Sequence, residues 1–224
     1  SMNLTPRLVA KLLTNSYVTS LPYQASRAEV GFVSNTDRGH NAFNLVVDPD
    51  FLSKQTTDEW YYQYLTAVSL ADLLVPSGQS DLAYQLWQYA LSDQEGRDFL
   101  AGKADEWGMT VNPYYSTTVN SYSTASSYPV STFPKADPIS SLNTLPADLT
   151  LGNDSVNLLT YRPYTSNFAA GAYNTLRGDG LILGNWNPNK SPKGYDKSIR
   201  SLVGTQKVLA VTTTEAAARY GNVT

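Results

Sequence analysis

Three observations predict an α/β fold. Capping patterns recur along the chain, each ahead of an apolar stretch at helical spacing. Short β-prone runs at Trp107–Val111, Val156–Tyr164 and Lys207–Val211 fall between them. The two kinds of segment interleave, which favours helices layered on a sheet. A mixed sheet flanked by helices is therefore expected. The 224 residues suit one large domain or two small ones, and are enough to bury about two-thirds of the unfolded surface.

The elements follow in chain order. Thr5 before Pro6 reads as an N-cap and a first-turn proline. Leu8, Val9, Leu12 and Leu13 then share one face of a helix expected to end near Ser16. Residues 17–50 hold turn signals but no clean period. Thr56 with Glu59 forms a capping box and predicts a helix carrying Trp60 to Leu74, stopped before Pro76. Ser77-Gly78-Gln79-Ser80 is a turn, with Ser80 as N-cap of a helix bearing Leu82, Leu86, Trp87, Tyr89 and Ala90. Ser92 with Glu95 predicts another helix start, and Gly102 its C-terminal stop. Residues 114–150 are rich in Ser, Thr, Tyr, Asn and Pro and form a long loop or insertion. Disorder is one reading of that segment. Its aromatic residues Tyr114, Tyr115, Tyr122, Tyr128 and Phe133 favour a loop pinned to a surface. Residues 167–177 read as a helix, 181–183 as a short strand and 184–195 as a loop. Thr212 with Glu215 predicts a last helix ending at Gly221.

Composition excludes several chemistries. With no cysteine, a disulfide framework, thiolate catalysis and cysteine-ligated metals are ruled out. With one histidine, His40, a multi-histidine metal site is impossible. Charged residues make up 16% of the chain, against a usual figure of about 25%. The net charge is −3 with no basic block, which disfavours nucleic acid as a partner. The apolar runs are too short to cross a bilayer. Sixteen tyrosines and many hydroxyl and amide side chains supply the polarity instead. A hydroxyl-rich surface without thiols leans toward proteins exported by Gram-positive bacteria. Ser1 and Met2 precede Asn3 without an apolar stretch, so no signal peptide is expected within this sequence. Ser1-Met2 reads as a cleavage scar ahead of a single lobe spanning residues 3–224.

The Ser77–Ser80 turn is the feature closest to chemistry. It sets hydroxyls and backbone N–H groups at a helix start, where the dipole favours an anion. The plainer reading is an ordinary N-cap. Asp81 directly follows and would oppose a fully ionised anion, while accepting a hydrogen bond from a protonated one. His40 lies in a polar turn, Asp37-Arg38-Gly39-His40-Asn41, and has no identifiable nucleophile partner. Asp48 with Asp50, and Asp105 with Glu106, are candidate carboxylate pairs, read here as solvated loop acids. Tyr61, Tyr62 and Tyr64, and the pair Tyr114–Tyr115, are candidates for stacking on a partner, although aromatics at helical spacing are more often core. Arg162, at a predicted strand end, is placed to reach an anion or a tyrosine. No nucleophile elbow, zinc-helix motif or phosphate-binding loop occurs. No catalytic residue, metal or cofactor is expected.

Several stretches together resemble secreted actinobacterial substrate-binding proteins of the phosphate ABC-transporter type. These are Leu4 to Leu13, Asp48-Pro49-Asp50-Phe51-Leu52, Ser80 to Lys103, Trp107 to Pro113, Phe133-Pro134-Lys135, Tyr161-Arg162-Pro163-Tyr164 and Val211 to Gly221. The resemblance implies one lobe, the second, of a periplasmic-binding-protein-like (type II) fold, with an upstream lobe beyond this sequence. It implies a non-enzymatic extracellular or cell-surface module for phosphate or another small oxyanion or polar solute. The family's Gly-Ser-Gly-Thr-Ser phosphate turn falls on Ser77-Gly78-Gln79-Ser80-Asp81. Ser80 keeps the threonine hydroxyl, Gly78 loses a serine, Gln79 replaces a glycine and Asp81 replaces a serine. The alternative is a structural or adhesive surface domain that kept the fold and lost the ligand. It would bind a protein or glycan through exposed aromatics such as Tyr114 and Tyr115.

Overall fold

Thr5 and Pro6 start the first helix as their chemistry requires. The computed structural model describes residues 2–20, 40–63, 70–120, 124–133, 150–151, 154–155, 164–180, 186–187, 189–191, 194–196 and 207–224. In α1 (Pro6–Leu13), Thr5 Oγ1 accepts from the Leu8 N–H, and every residue from Arg7 to Leu13 is buried. The helix stops short of Ser16. Thr14 caps it, and Asn15 takes a left-handed conformation at φ +50°. Asp48 caps the short α2 (Pro49–Ser53).

The expected helix from Thr56 to Leu74 is corrected. Asp58–Gln63 is a 3-10 helix, residues 64–69 lie outside the described residues, and Leu73–Pro76 is a strand, β1. All four strand residues are buried. An unbroken apolar run suits a strand covered on both faces as well as it suits a buried helix, and periodicity alone does not separate them. Two-residue alternation then sorts the side chains. Leu73 and Val75 join a core with Leu8, Leu12, Trp87 and Phe99, while Leu74 is buried outside that cluster.

Ser80 caps α3 (Asp81–Ala90), accepting from the Ala83 N–H at 3.2 Å. In α4 (Gln94–Leu100) the cap is Asp93, one residue after the expected Ser92, accepting from the Gly96 N–H at 2.8 Å. A carboxylate at that position also complements the helix dipole. The strand expected over Trp107–Val111 is absent. Asp105 Oδ1 accepts instead from the N–H groups of Trp107 and Met109, at 3.0 and 2.9 Å, so the side chain takes donors that a sheet would need.

The long loop is pinned at several of its described points. Pro113–Tyr115 forms a 3-10 turn. Tyr128 stacks on Trp87 with ring centroids 3.9 Å apart and planes 9° from parallel. Trp87 Nε1 donates to the Thr132 carbonyl, Tyr128 Oη donates to the Tyr115 carbonyl, and Phe133 is buried. Residues 121–123 and 134–149 lie outside the described residues.

The remaining elements are β2 (Thr150–Leu151), β3 (Asp154–Ser155), β4 (Tyr164–Thr165), α5 (Phe168–Arg177), β5 (Trp186–Asn187), β6 (Gly194–Tyr195), β7 (Leu209–Ala210) and α6 (Thr214–Arg219). Asn167 caps α5, and Gly178 ends it at φ +63°. Thr213 caps α6 in place of the expected Thr212, whose hydroxyl donates to the Phe168 carbonyl at 2.7 Å. The expected loop 184–195 contains the β5–β6 ribbon. The strand expected at Leu181–Leu183, and the 156–163 part of the preceding one, lie outside the described residues.

The protein is therefore α/β, with a three-stranded sheet in the order β4-β1-β7. Both pairings are parallel, so among the described residues this sheet is parallel where a mixed one was expected. The antiparallel pairs are the separate ribbons β2–β3 and β5–β6. Helix α5 packs on all three strands and on α6, and α1 packs on α3 and α4.

The α3–α4 corner is tight. A Cβ on Gly96 would sit 2.1 Å from the Ala90 carbonyl oxygen. Gly96→Ala is expected to cost about 1–3 kcal/mol of unfolding free energy, the usual price of overpacking. Urea denaturation checks this, and a stability equal to the parent's would show that the corner has slack.

Candidate functional site

A parallel sheet brings the ends of its strands to one edge. Here Pro76 leads through residues 77–80 into α3, Thr165 leads through Ser166 and Asn167 into α5, and Ala210 leads through residues 211–213 into α6. The strand order reverses at β1, which has β4 on one side and β7 on the other. Open α/β sheets bind ligands in the crevice at such an edge. The turn singled out in the sequence, Ser77 to Asp81, lies at the end of this central strand.

Both ends of the turn are anchored. The Ser77 N–H donates to the Thr165 carbonyl at 3.2 Å, continuing the ladder past Pro76. The Ser80 N–H donates to the Ser131 carbonyl at 2.8 Å, tying the turn to the pinned loop. Ser77, Gly78, Gln79 and Asp81 are exposed, and Ser80 is half-buried. Gly78 has φ +89°, a conformation that favours glycine, with open space where a Cβ would stand. The Ser80 hydroxyl serves the cap. Two backbone donors are thus committed to carbonyls. The N–H groups of Gly78, Gln79, Asp81 and Leu82 are what the turn has to offer an anion.

Among the described residues, the other sequence candidates do not gather around this point. Tyr114 is half-buried, and its N–H donates to Asn112 Oδ1 at 3.2 Å. Tyr115 is buried, in line with the plainer core reading of these aromatics, and Tyr128 and the 3-10 turn hold it inside. Arg162 and Tyr64 lie outside the described residues. Tyr62 is 77% exposed. His40 is exposed, and its ring fills the space a Cβ on Gly108 would take.

The reading of Asp48, Asp50 and Asp105 as solvated loop acids is overturned. Their partners are two cations of α1 one turn apart. Lys11 is fully buried, with Nζ 2.7 Å from Asp105 Oδ2, 2.8 Å from Asp48 Oδ2 and 3.0 Å from Asp50 Oδ2. Arg7 donates to Asp50 twice, from Nε at 2.8 Å and Nη2 at 2.9 Å, and lies 2.8 Å from Glu106 Oε2. Glu106 itself is exposed, as read. Tyr17 Oη donates to Asp48 Oδ2 at 2.8 Å, and the Asp50 N–H donates to Asp48 Oδ1 at 3.0 Å. The signal was present in the sequence: Arg7 and Lys11 are spaced i, i+4 and adjoin the apolar positions Leu8 and Leu12.

Burial alone would pull the Lys11 ammonium down, but the carboxylates of Asp48, Asp50 and Asp105 outweigh it and raise its pKa. Burial likewise works to raise Asp50, and the bonds from Arg7 and the charge of Lys11 reverse it, so Asp50 is lowered. Asp48 is raised, because burial exceeds the help from Lys11 and Tyr17. Burial and the neighbouring Asp48 push the Tyr17 phenol well up. Lys11 directs its ammonium at three carboxylates, an arrangement suited to holding segments together rather than to donating protons to a substrate. Among the described residues, no group of three or more His, Asp or Glu side chains is arranged to hold a metal ion.

The signs give a pH profile. Lys11 contributes stability fully below its ordinary value of 10.5, lost as pH rises through its higher folded value. Tyr17 adds to the same alkaline loss, because folding favours its neutral form. In acid, Asp50 contributes above 3.8 and loses that contribution as pH falls through its lower folded value. Asp48 acts oppositely and offsets part of this. Unfolding free energy is thus expected to fall steeply above about pH 10. Lys11→Met is expected to remove about 3–5 kcal/mol at neutral pH by stranding buried carboxylates, and to flatten the alkaline limb. Denaturant titrations across pH check both. No protein-family model matches the chain, and neither a curated protein nor a solved structure matches it.

Proposed function

We propose that the chain is a non-enzymatic binding module, one lobe of a type II substrate-binding-protein-like fold acting outside the cell or at its surface. Its ligand is a small oxyanion, such as phosphate, or a polar solute, held at the N-terminus of α3. One observation carries the reading: an exposed turn, fixed at both ends, stands at the end of the central strand of a parallel sheet. The fixed ends mean that little ordering is needed when a ligand arrives. The donors are backbone N–H groups backed by a ten-residue helix. An upstream lobe would complete the cleft, so this lobe by itself binds weakly.

A specific observation favours the second reading, a structural or adhesive domain. The N–H groups of Ser77 and Ser80 already serve protein carbonyls, and Asp81 places an exposed carboxylate beside the remaining donors.

Amide chemical shifts followed during titration with phosphate, and separately with sulfate, decide between the two. The expected result at millimolar anion is movement of Gly78, Gln79, Asp81 and Leu82, with Ser77 and Ser80 nearly still. If those four amides stay put while the protein remains folded, the binding reading fails and the structural one stands.

A further inference from the structure

A second concavity lies where the strands begin, at the end of the sheet opposite Ser77–Asp81. Leu70 just ahead of β1, Val208 just ahead of β7 and Leu209 at its start line a pocket of about 560 Å³. Leu4 and Trp60 line it too. Small-molecule sites span about 300–1,000 Å³, so the pocket is large enough for one. Its walls are already in place. Leu70 and Val208 are buried, and the Trp60 ring stands edge-on to the buried Phe51, with centroids 5.8 Å apart and planes at 80°. Leu4, Trp60 and Leu209 pack against the core, yet none of the three is fully covered.

The lining is poor in hydrogen-bonding groups. The Thr175 hydroxyl already donates to the Gly171 carbonyl at 3.0 Å. Lys207 is the one ionisable side chain of the lining, and it is exposed. Among the described residues no carboxylate pairs with it, the chain-end carboxylate of Thr224 at the same pocket included. A peptide laid here would bury N–H and C=O groups without partners, and a sugar would bury hydroxyls. An alkyl chain needs no such partners and gains from each methylene withdrawn from water. The single ammonium is complementary to an anionic head.

We propose that this pocket binds a fatty acid, with its alkyl chain against Trp60, Leu70, Val208 and Leu209 and its carboxylate on Lys207. The order of groups fits that chemistry. Lys207 and Val208 are adjacent, one exposed and one buried, so the apolar wall begins directly beside the charge. A neutral alcohol would leave the ammonium unused, and a cationic amphiphile would meet it as a like charge. The proposal does not rest on anion binding at the α3 turn.

Calorimetric titration of the full chain with decanoate, below its micellar range, tests it, with octanoate, decanol and decyltrimethylammonium as comparisons. Decanoate is expected to bind most tightly. Octanoate, shorter by two methylenes, is expected to bind about tenfold more weakly. Lys207→Met is expected to weaken decanoate about two- to fivefold, as for an exposed ion pair, and to leave decanol unchanged. Leu4→Trp, which puts an indole into the pocket, is expected to abolish binding. The amide shifts of Leu70, Thr175, Val208 and Leu209 are expected to move with decanoate and not with phosphate, which separates this site from the α3 turn. Circular dichroism confirms that each variant is folded. No binding of decanoate, equal binding of decanol or decyltrimethylammonium, parental affinity in Lys207→Met or Leu4→Trp, or shifts confined to the α3 turn would each overturn the proposal.

Discussion

Lys11 is a charge enclosed by protein, and two stretches of chain converge to neutralise it while a third braces one of their carboxylates. Asp48 and Asp50 come from the start of α2, and Asp105 from the turn after α4, with Tyr17 donating to Asp48 from the segment after α1. Enclosing an ammonium is costly unless carboxylates and hydrogen bonds surround it. That requirement fixes how α1, α2 and the 105–109 turn sit against one another. Arg7 extends the same constraint one turn back, to Asp50 and out to Glu106 at the surface. Replacing such a cluster with apolar groups of equal volume can match its stability. Its distinctive contribution is registry, because few other arrangements of these segments satisfy every charge.

The rest of the architecture builds outward from that centre. Helix α1 packs on α3 and α4, and its apolar side chains share a core with Leu73, Val75 and Trp87. Trp87 in turn receives the Tyr128 stack, and the loop bearing Tyr128 supplies the Ser131 carbonyl that holds Ser80. A chain of contacts thus connects the buried charges to the exposed turn at the sheet edge. The turn owes its position to β1 and its fixed geometry to β4 and the pinned loop.

Much of this was legible in the sequence, for physical reasons specific to each element. Thr5-Pro6, Ser80 and Asn167 act locally, through a side chain and an N–H two or three residues on, so their helix starts could be read directly. The caps at Asp93 and Thr213 fell one residue from the expected ones, and Thr212 is drawn instead to the distant Phe168 carbonyl. The Leu73–Pro76 strand was hidden, since burial on both faces erases the alternation that marks a strand. The candidate turn was visible as a turn. Its committed donors were not, because the Thr165 and Ser131 carbonyls arrive from distant segments. The buried charge cluster escaped for the same reason: Lys11 and Asp105 are 94 residues apart. Only the spacing of Arg7 and Lys11 beside an apolar stripe hinted at it.

If a buried charge centre organises the fold, Lys11 and Asp105 act as one unit in the folded chain. A double-mutant cycle measures this directly, from the unfolding free energies of the parent, Lys11→Met, Asp105→Asn and the double variant. The predicted coupling is about 1–3 kcal/mol, as for groups in one network, with the double variant less destabilised than the sum of the singles. Additive effects, with coupling near zero, would contradict a buried charge centre that organises the fold.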